Sequence, residues 1–252
     1  MLTTFDGFFW AIAALLALLL LQRALHREIQ AIFLILTRNP GITVLTFSLI
    51  FLPGVFLHEL SHLVTAKLLG VRTGKFSLIP TVLPDGRLQL GYVEAAHSDI
   101  VRDSLVGLAP LISGMLFVAY VAVERLYLVI LWDTLRNGQW ELFWRGLHVL
   151  PNLPDFWLWF YLTFAVSSTM MPSESDRHAW MPLGIVSGVL LGLVLLAGAG
   201  PWMLENLAPF LNEFLRGMAL IVLVSIIVHC LLVLPLLFIH RLLTRLTGLD
   251  IG

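Results

Sequence analysis

The sequence predicts an all-α polytopic membrane protein of about six transmembrane helices, with a small membrane-associated β-hairpin after the second. Three observations carry that prediction. The 252 residues are 59% hydrophobic and only 12% charged, with a mean hydropathy of +0.92, a balance found in membrane bundles rather than water-soluble domains. The apolar residues gather into segments at about 7–22, 41–69, 104–131, 155–171, 181–203 and 214–240, most of them near or above the ~20 residues that cross a bilayer as helix. After the second segment, the continuous apolar pattern gives way to strict alternation, the period of a half-buried strand.

In chain order, the first segment follows Asp6 rather than a basic stretch, and no small-x-small site precedes Gln22-Arg23. It is therefore expected to be a retained span and not a cleaved signal. The apolar pieces Ile29–Leu36 and Phe143–Leu150 are too short to cross alone and are expected at the interface. In the second segment, Pro53-Gly54 predicts a bend, because proline removes a helical amide and glycine loosens the backbone. The alternating stretch sets Arg87, Gln89 and Gly91 against Leu88, Leu90 and Tyr92, with Phe76–Leu83 as partner strand and Pro84-Asp85-Gly86 as turn. Pro80 and Pro84 lack amide donors, so the first strand suits a sheet edge. Such an edge could dock an unwound substrate segment by strand addition, with Leu88, Leu90 and Tyr92 as the contacting face. Lys and Arg divide almost evenly between the two sets of loops, so the positive-inside bias is weak; both termini are expected on the side of loop 67–104. No internal repeat is evident, and residues 1–252 read as one integral membrane domain.

Net charge is −1, which speaks against a nucleic-acid partner. Cys230 is the sole cysteine, so an intrachain disulfide is excluded and a thiolate site is not expected. The chemistry concentrates in His58-Glu59-Leu60-Ser61-His62, set inside the apolar run Gly41–Leu69. As helix, that run is roughly 43 Å long at ~1.5 Å per residue. Titratable groups at such depth are costly and mark function. Histidines four apart share one helix face, the spacing that grips a tetrahedral Zn2+ through two imidazoles. Glu59, roughly 100° round the helix from His58, suits a general base that is not itself a ligand.

Zinc with an open fourth position needs one more protein ligand. Asp176, after the fourth segment, falls on the His58 side of the membrane; Asp155, which opens that segment on the opposite side, is the alternative. Glu174, His178, His97 and Asp99 are outside candidates. Glu205 and Glu213 fall on the wrong face. Ser61, Ser113, Ser167 and Asn152 could line a polar pocket.

The chain resembles the site-2 protease family of intramembrane zinc metalloproteases. The likeness rests on His58-Glu59-Leu60-Ser61-His62, then Gly107-Leu108-Ala109-Pro110-Leu111-Ile112-Ser113-Gly114, then Pro172 to Asp176. It covers about residues 41–178, with extra helices in 1–40 and 181–252. It implies His58, His62 and Asp176 as zinc ligands, Glu59 as general base, and a membrane-spanning or membrane-proximal protein as substrate. It also implies multi-pass residence in the lipid bilayer, expected to be a bacterial cell membrane. Two departures stand out: Ser168 occupies the place of the family's Asn, and Arg177 that of its Gly. A metal or proton transporter, or a protease-like scaffold that binds without cutting, are the rival classes.

Overall fold

The computed structural model describes residues 5–82 and 88–249. Helices α1 (Asp6–Thr37) and α2 (Pro40–Leu68) form a hairpin joined by Arg38, whose φ of 51° turns the chain. The Asn39 side chain caps α2 by accepting from the Gly41 and Ile42 amides, and Pro40 opens the helix without forfeiting a bond. Four strands follow: β1 (Thr73–Ser77), β2 (Thr81–Val82), β3 (Leu88–Gln89) and β4 (Tyr92–Ala95). β1 pairs antiparallel with β4, and β2 with β3. The predicted hairpin is thus one excursion zipped in two short ladders, interrupted at Leu90-Gly91. Its predicted turn, Pro84-Asp85-Gly86, lies outside the described residues.

Helix α3 (Ile100–Tyr120) is capped by Asp99, which accepts from the Val101 and Arg102 amides. These bonds, with the neighbouring Arg102 charge, hold the Asp99 carboxyl below its ordinary range. Asp99 is therefore occupied as a cap. The helical run continues to Arg125, whose guanidinium bonds the Tyr120 hydroxyl and lies 4.9 Å from the centre of the Trp159 ring. Tyr127, at φ 50°, then turns the chain into α4 (Leu128–Arg136) and α5 (Trp140–Val149). Helix α6 (Phe156–Ser167) leads to the turns of 168–179. Last come α7 (Trp180–Val194), the short α8 (Gly200–Trp202) and α9 (Ala208–Thr247), linked by π-helical turns.

Four helical runs among the described residues are long and apolar enough to cross a membrane: Asp6–Thr37, Pro40–Leu68, Ile100–Arg125 and Trp180–Thr247. This corrects the expected six. The fourth segment yields only the 12 residues of α6, about 18 Å of helix. The fifth and sixth join in one helical run, broken locally at Gly198 with φ 87°. The first segment is longer than expected, because Ile29–Leu36 continues α1 instead of lying apart. Two of its polar residues find partners on other helices: Gln22 donates to the Ser167 carbonyl, and Glu28 pairs with His240 at 2.5 Å. Buried side chains that find such partners need no water.

Helices α1 and α9 run parallel, since Asp6 pairs with Arg216 at one end and Glu28 with His240 at the other. The start of α1 and the end of α9 therefore lie at opposite ends of this pair, against the expectation of both termini on one side. Leu25, Ile29, Phe47, Phe51, Val55, Phe164 and Val228 form the central apolar cluster, drawn from α1, α2, α6 and α9. Helix α2 is continuous through Pro53. The Tyr161 hydroxyl donates to the Ile50 carbonyl in the turn before it, where proline perturbs the ladder. Gly54 is needed for contact: a Cβ there would run into the Ala165 carbonyl and the Thr169 hydroxyl. This close approach seats the end of α6 against the middle of α2.

Candidate metal centre

His58 and His62 lie one turn apart on α2, with ring centroids 4.9 Å apart. Each ring is fixed from behind by a backbone carbonyl. His58 Nδ1–H donates to Thr169 O at 2.6 Å, and His62 Nδ1–H to Val106 O at 2.9 Å. Carbonyls only accept, so these bonds assign the Nδ1–H tautomer and leave both Nε2 lone pairs facing inward. The two Nε2 atoms stand 3.2 Å apart.

Asp176 closes the group, its carboxylate 3.2 Å from His62 Nε2 and 3.7 Å from His58 Nε2. A local turn aims it: the Ser173 amide donates to Asp176 Oδ2 at 2.7 Å, and Ser173 Oγ accepts from the Asp176 amide at 3.3 Å. Burial pushes the Asp176 carboxyl up, but its contacts with His58, His62 and the Ser173 amide outweigh burial and hold the group well below the ordinary carboxylate range. Two inward lone pairs and a carboxylate within 4 Å of one another make an electron-rich point that a cation would neutralise. The spacing fits one: tetrahedral bonds of ~2.0–2.1 Å to N and O place ligand atoms roughly 3.3–3.4 Å apart. His58, His62 and Asp176 can hold a metal ion on this geometry.

Gly107 on α3 makes the approach of Asp176 possible. A Cβ at residue 107 would overlap the Asp176 carbonyl oxygen. We expect Gly107→Ala to displace the 173–176 turn, lowering thermal stability by about 1–3 kcal/mol and weakening metal binding although no ligand is altered. Unchanged melting and unchanged metal content would contradict this.

The triad opens into a cavity of about 920 Å³. Glu59, 7% exposed, lines it and makes no hydrogen bond to another described residue. The hairpin lies across it: Leu88, Leu90 and Tyr92 all line the cavity, and Gly91 packs so closely that a Cβ there would stand 3.0 Å from the Glu59 side chain. The sequence-expected substrate face and catalytic motif are thus brought together. Asp155 is not: it sits at the start of α6 with φ 57°, outside the cavity and the full length of α6 from the Thr169 turn. Glu205 and Glu213 are likewise absent from the cavity lining. The pocket serines need correcting. Ser61, Ser113 and Ser167 bond back to carbonyls of their own helices, and Asn152 to His148 O. The polar lining comes instead from Gln89, Ser168, Thr169, Ser173 and Ser175.

Two features escaped the sequence reading. Ser168 donates to Nε2 of the wholly buried His229, whose Nδ1–H donates to Ser225 O. This contact ties Ser168, just after α6, to α9. His26 lines the cavity with its Nε2 buried and unpartnered among the described residues, and its ring meets Phe47 and Phe51 edge-on. Both histidines are legible only as isolated polar residues in apolar helices, and His26 falls where the first span was expected to have ended. Comparison with models of known protein families, with curated proteins and with solved structures finds no match.

Proposed function

We propose that this protein is a multi-pass intramembrane zinc metalloprotease, similar in design to the site-2 proteases, that hydrolyses peptide bonds of membrane-spanning or membrane-proximal proteins. The observation that carries the reading is the convergence of two tautomerically fixed imidazoles and one ionised carboxylate beside a buried glutamate, on a helix apolar enough to cross a membrane. His58, His62 and Asp176 would hold the zinc, which when bound supplies a Lewis acid and lowers the pKa of water. Glu59 takes the proton of the attacking water and returns it to the leaving amine. The Thr169 and Val106 carbonyls keep both imidazoles oriented. A substrate helix has its backbone bonds satisfied internally and must open before it is cut. The hairpin offers unpaired strand edges over the cavity to hold the opened segment, with Leu88, Leu90 and Tyr92 taking its side chains. A bacterial cell membrane is the setting we favour.

The test is cleavage of membrane-protein substrates by the purified chain in proteoliposomes. We expect chelation to abolish cleavage and added Zn2+ to restore it. Cleavage that survives complete metal removal would overturn the reading, as would zinc-dependent ion flux without any hydrolysis.

A further inference from the structure

A second group of ligating side chains converges on the same cavity, and the proposed proteolysis does not use it. His97 precedes α3, Asp103 stands on its first turn, and His178 follows Asp176 by two residues. Their ligand atoms lie within 4.8 Å of one another. His178 Nε2 is 3.4 Å and His97 Nδ1 3.7 Å from the same oxygen, Asp103 Oδ2, and the two rings meet edge-to-face at 5.3 Å.

Two of the three groups are held from behind as in the inner triad. His178 Nδ1–H donates to Ser175 O at 2.6 Å, which leaves Nε2, the atom facing Asp103, as the ring's ligand atom for a cation. The Ser98 amide donates to Asp103 Oδ1 at 3.1 Å, leaving Oδ2 as the oxygen between the rings. Metal-ligating histidines and carboxylates are characteristically held in this way by their second atom. The Asp103 side chain is only 13% exposed whereas that of His97 is 88% exposed, which puts the group at the rim of the cavity, open to ions from water. Asp103 lies one helical turn before Gly107, the residue against which the Asp176 carbonyl rests.

We propose that His97, Asp103 and His178 hold a second divalent cation of the zinc class, which clamps the Asp176-bearing turn to the start of α3. Two imidazoles and a carboxylate are the donor set of the inner site as well, so both take the same class of metal. The clamp joins three segments: the loop after β4, α3, and the 173–178 turn.

The experiment is metal counting on full-length protein in detergent, stripped by chelator, equilibrated with Zn2+ and dialysed. Wild type is expected to carry two ions per chain. His97→Ala and His178→Ala should each carry one, His58→Ala one, and the His58→Ala/His97→Ala pair none. The second equivalent of Zn2+ should raise the melting temperature of wild type but not of His97→Ala, a substitution at an exposed side chain. Equal zinc content in wild type and His97→Ala overturns the second site, in favour of a plain ion pair on Asp103. If the ion they share is lost in His58→Ala, the inner centre survives that failure. If wild type and His58→Ala both hold one ion, lost on His97→Ala, the outer site stands and the inner one falls.

Discussion

Glu59→Gln should retain a full complement of zinc while losing proteolysis by roughly 10²–10⁴-fold, the usual contribution of a positioned general base. Glutamine nearly preserves the shape of the side chain and its packing against Gly91, but it cannot accept the proton of the attacking water. The loss corresponds to about 3–5 kcal/mol of transition-state stabilisation and should appear in kcat. Metal analysis and cleavage assays on one preparation separate this from collapse of the site. Retained cleavage in Glu59→Gln would refute its role, and loss of zinc would show that the glutamate is a ligand.

The second large effect falls on Asp176. Asp176→Ala removes the one anionic donor and leaves a cation only two neutral imidazole nitrogens, 3.2 Å apart, to hold it. We expect zinc affinity to fall by more than the ~100-fold that loss of an outer-shell partner alone can cost, with proteolysis lost in parallel. Asp155→Ala should change neither, since Asp155 lies outside the cavity at the far end of α6. A zinc loss in Asp155→Ala with none in Asp176→Ala would reverse the assignment. The Arg177 guanidinium donates to the Ser173 carbonyl at 3.1 Å, bracing the turn that aims the aspartate.

How much of this was legible in the sequence follows from how far each signal reaches. The His58–His62 face is a local property of one helix, fixed by a four-residue spacing, and the structure places both rings as that spacing requires. Asp176 lies well over a hundred residues later. Membrane-face counting and the family resemblance point to it in the sequence, and the structure brings its carboxylate to 3.2 Å from His62 although the count of spans differs. The miscount has physical causes. Hydropathy cannot distinguish a span from the 12-residue α6, which is apolar in composition but only about 18 Å long. Nor can it see that Gln22 meets the Ser167 carbonyl and Glu28 meets His240 inside the bundle, which lets α1 continue past its polar stretch. The serines failed for a related reason: a hydroxyl in an apolar helix most readily bonds the carbonyl of the preceding turn, as Ser61, Ser113 and Ser167 do. The role of Gly107 was written in the sequence only as a small residue, a feature that close helix packing alone would explain. Its contact with the Asp176 carbonyl exists only once the chain has folded.

The most direct measurement is zinc content and zinc affinity of the purified full-length protein, wild type beside His58→Ala, His62→Ala and Asp176→Ala. Wild type should bind tightly at the inner centre, and each variant should lose that ion while keeping its helical content. Wild type that takes up no zinc there after careful reconstitution, or three variants that bind it as tightly as wild type, would contradict the account.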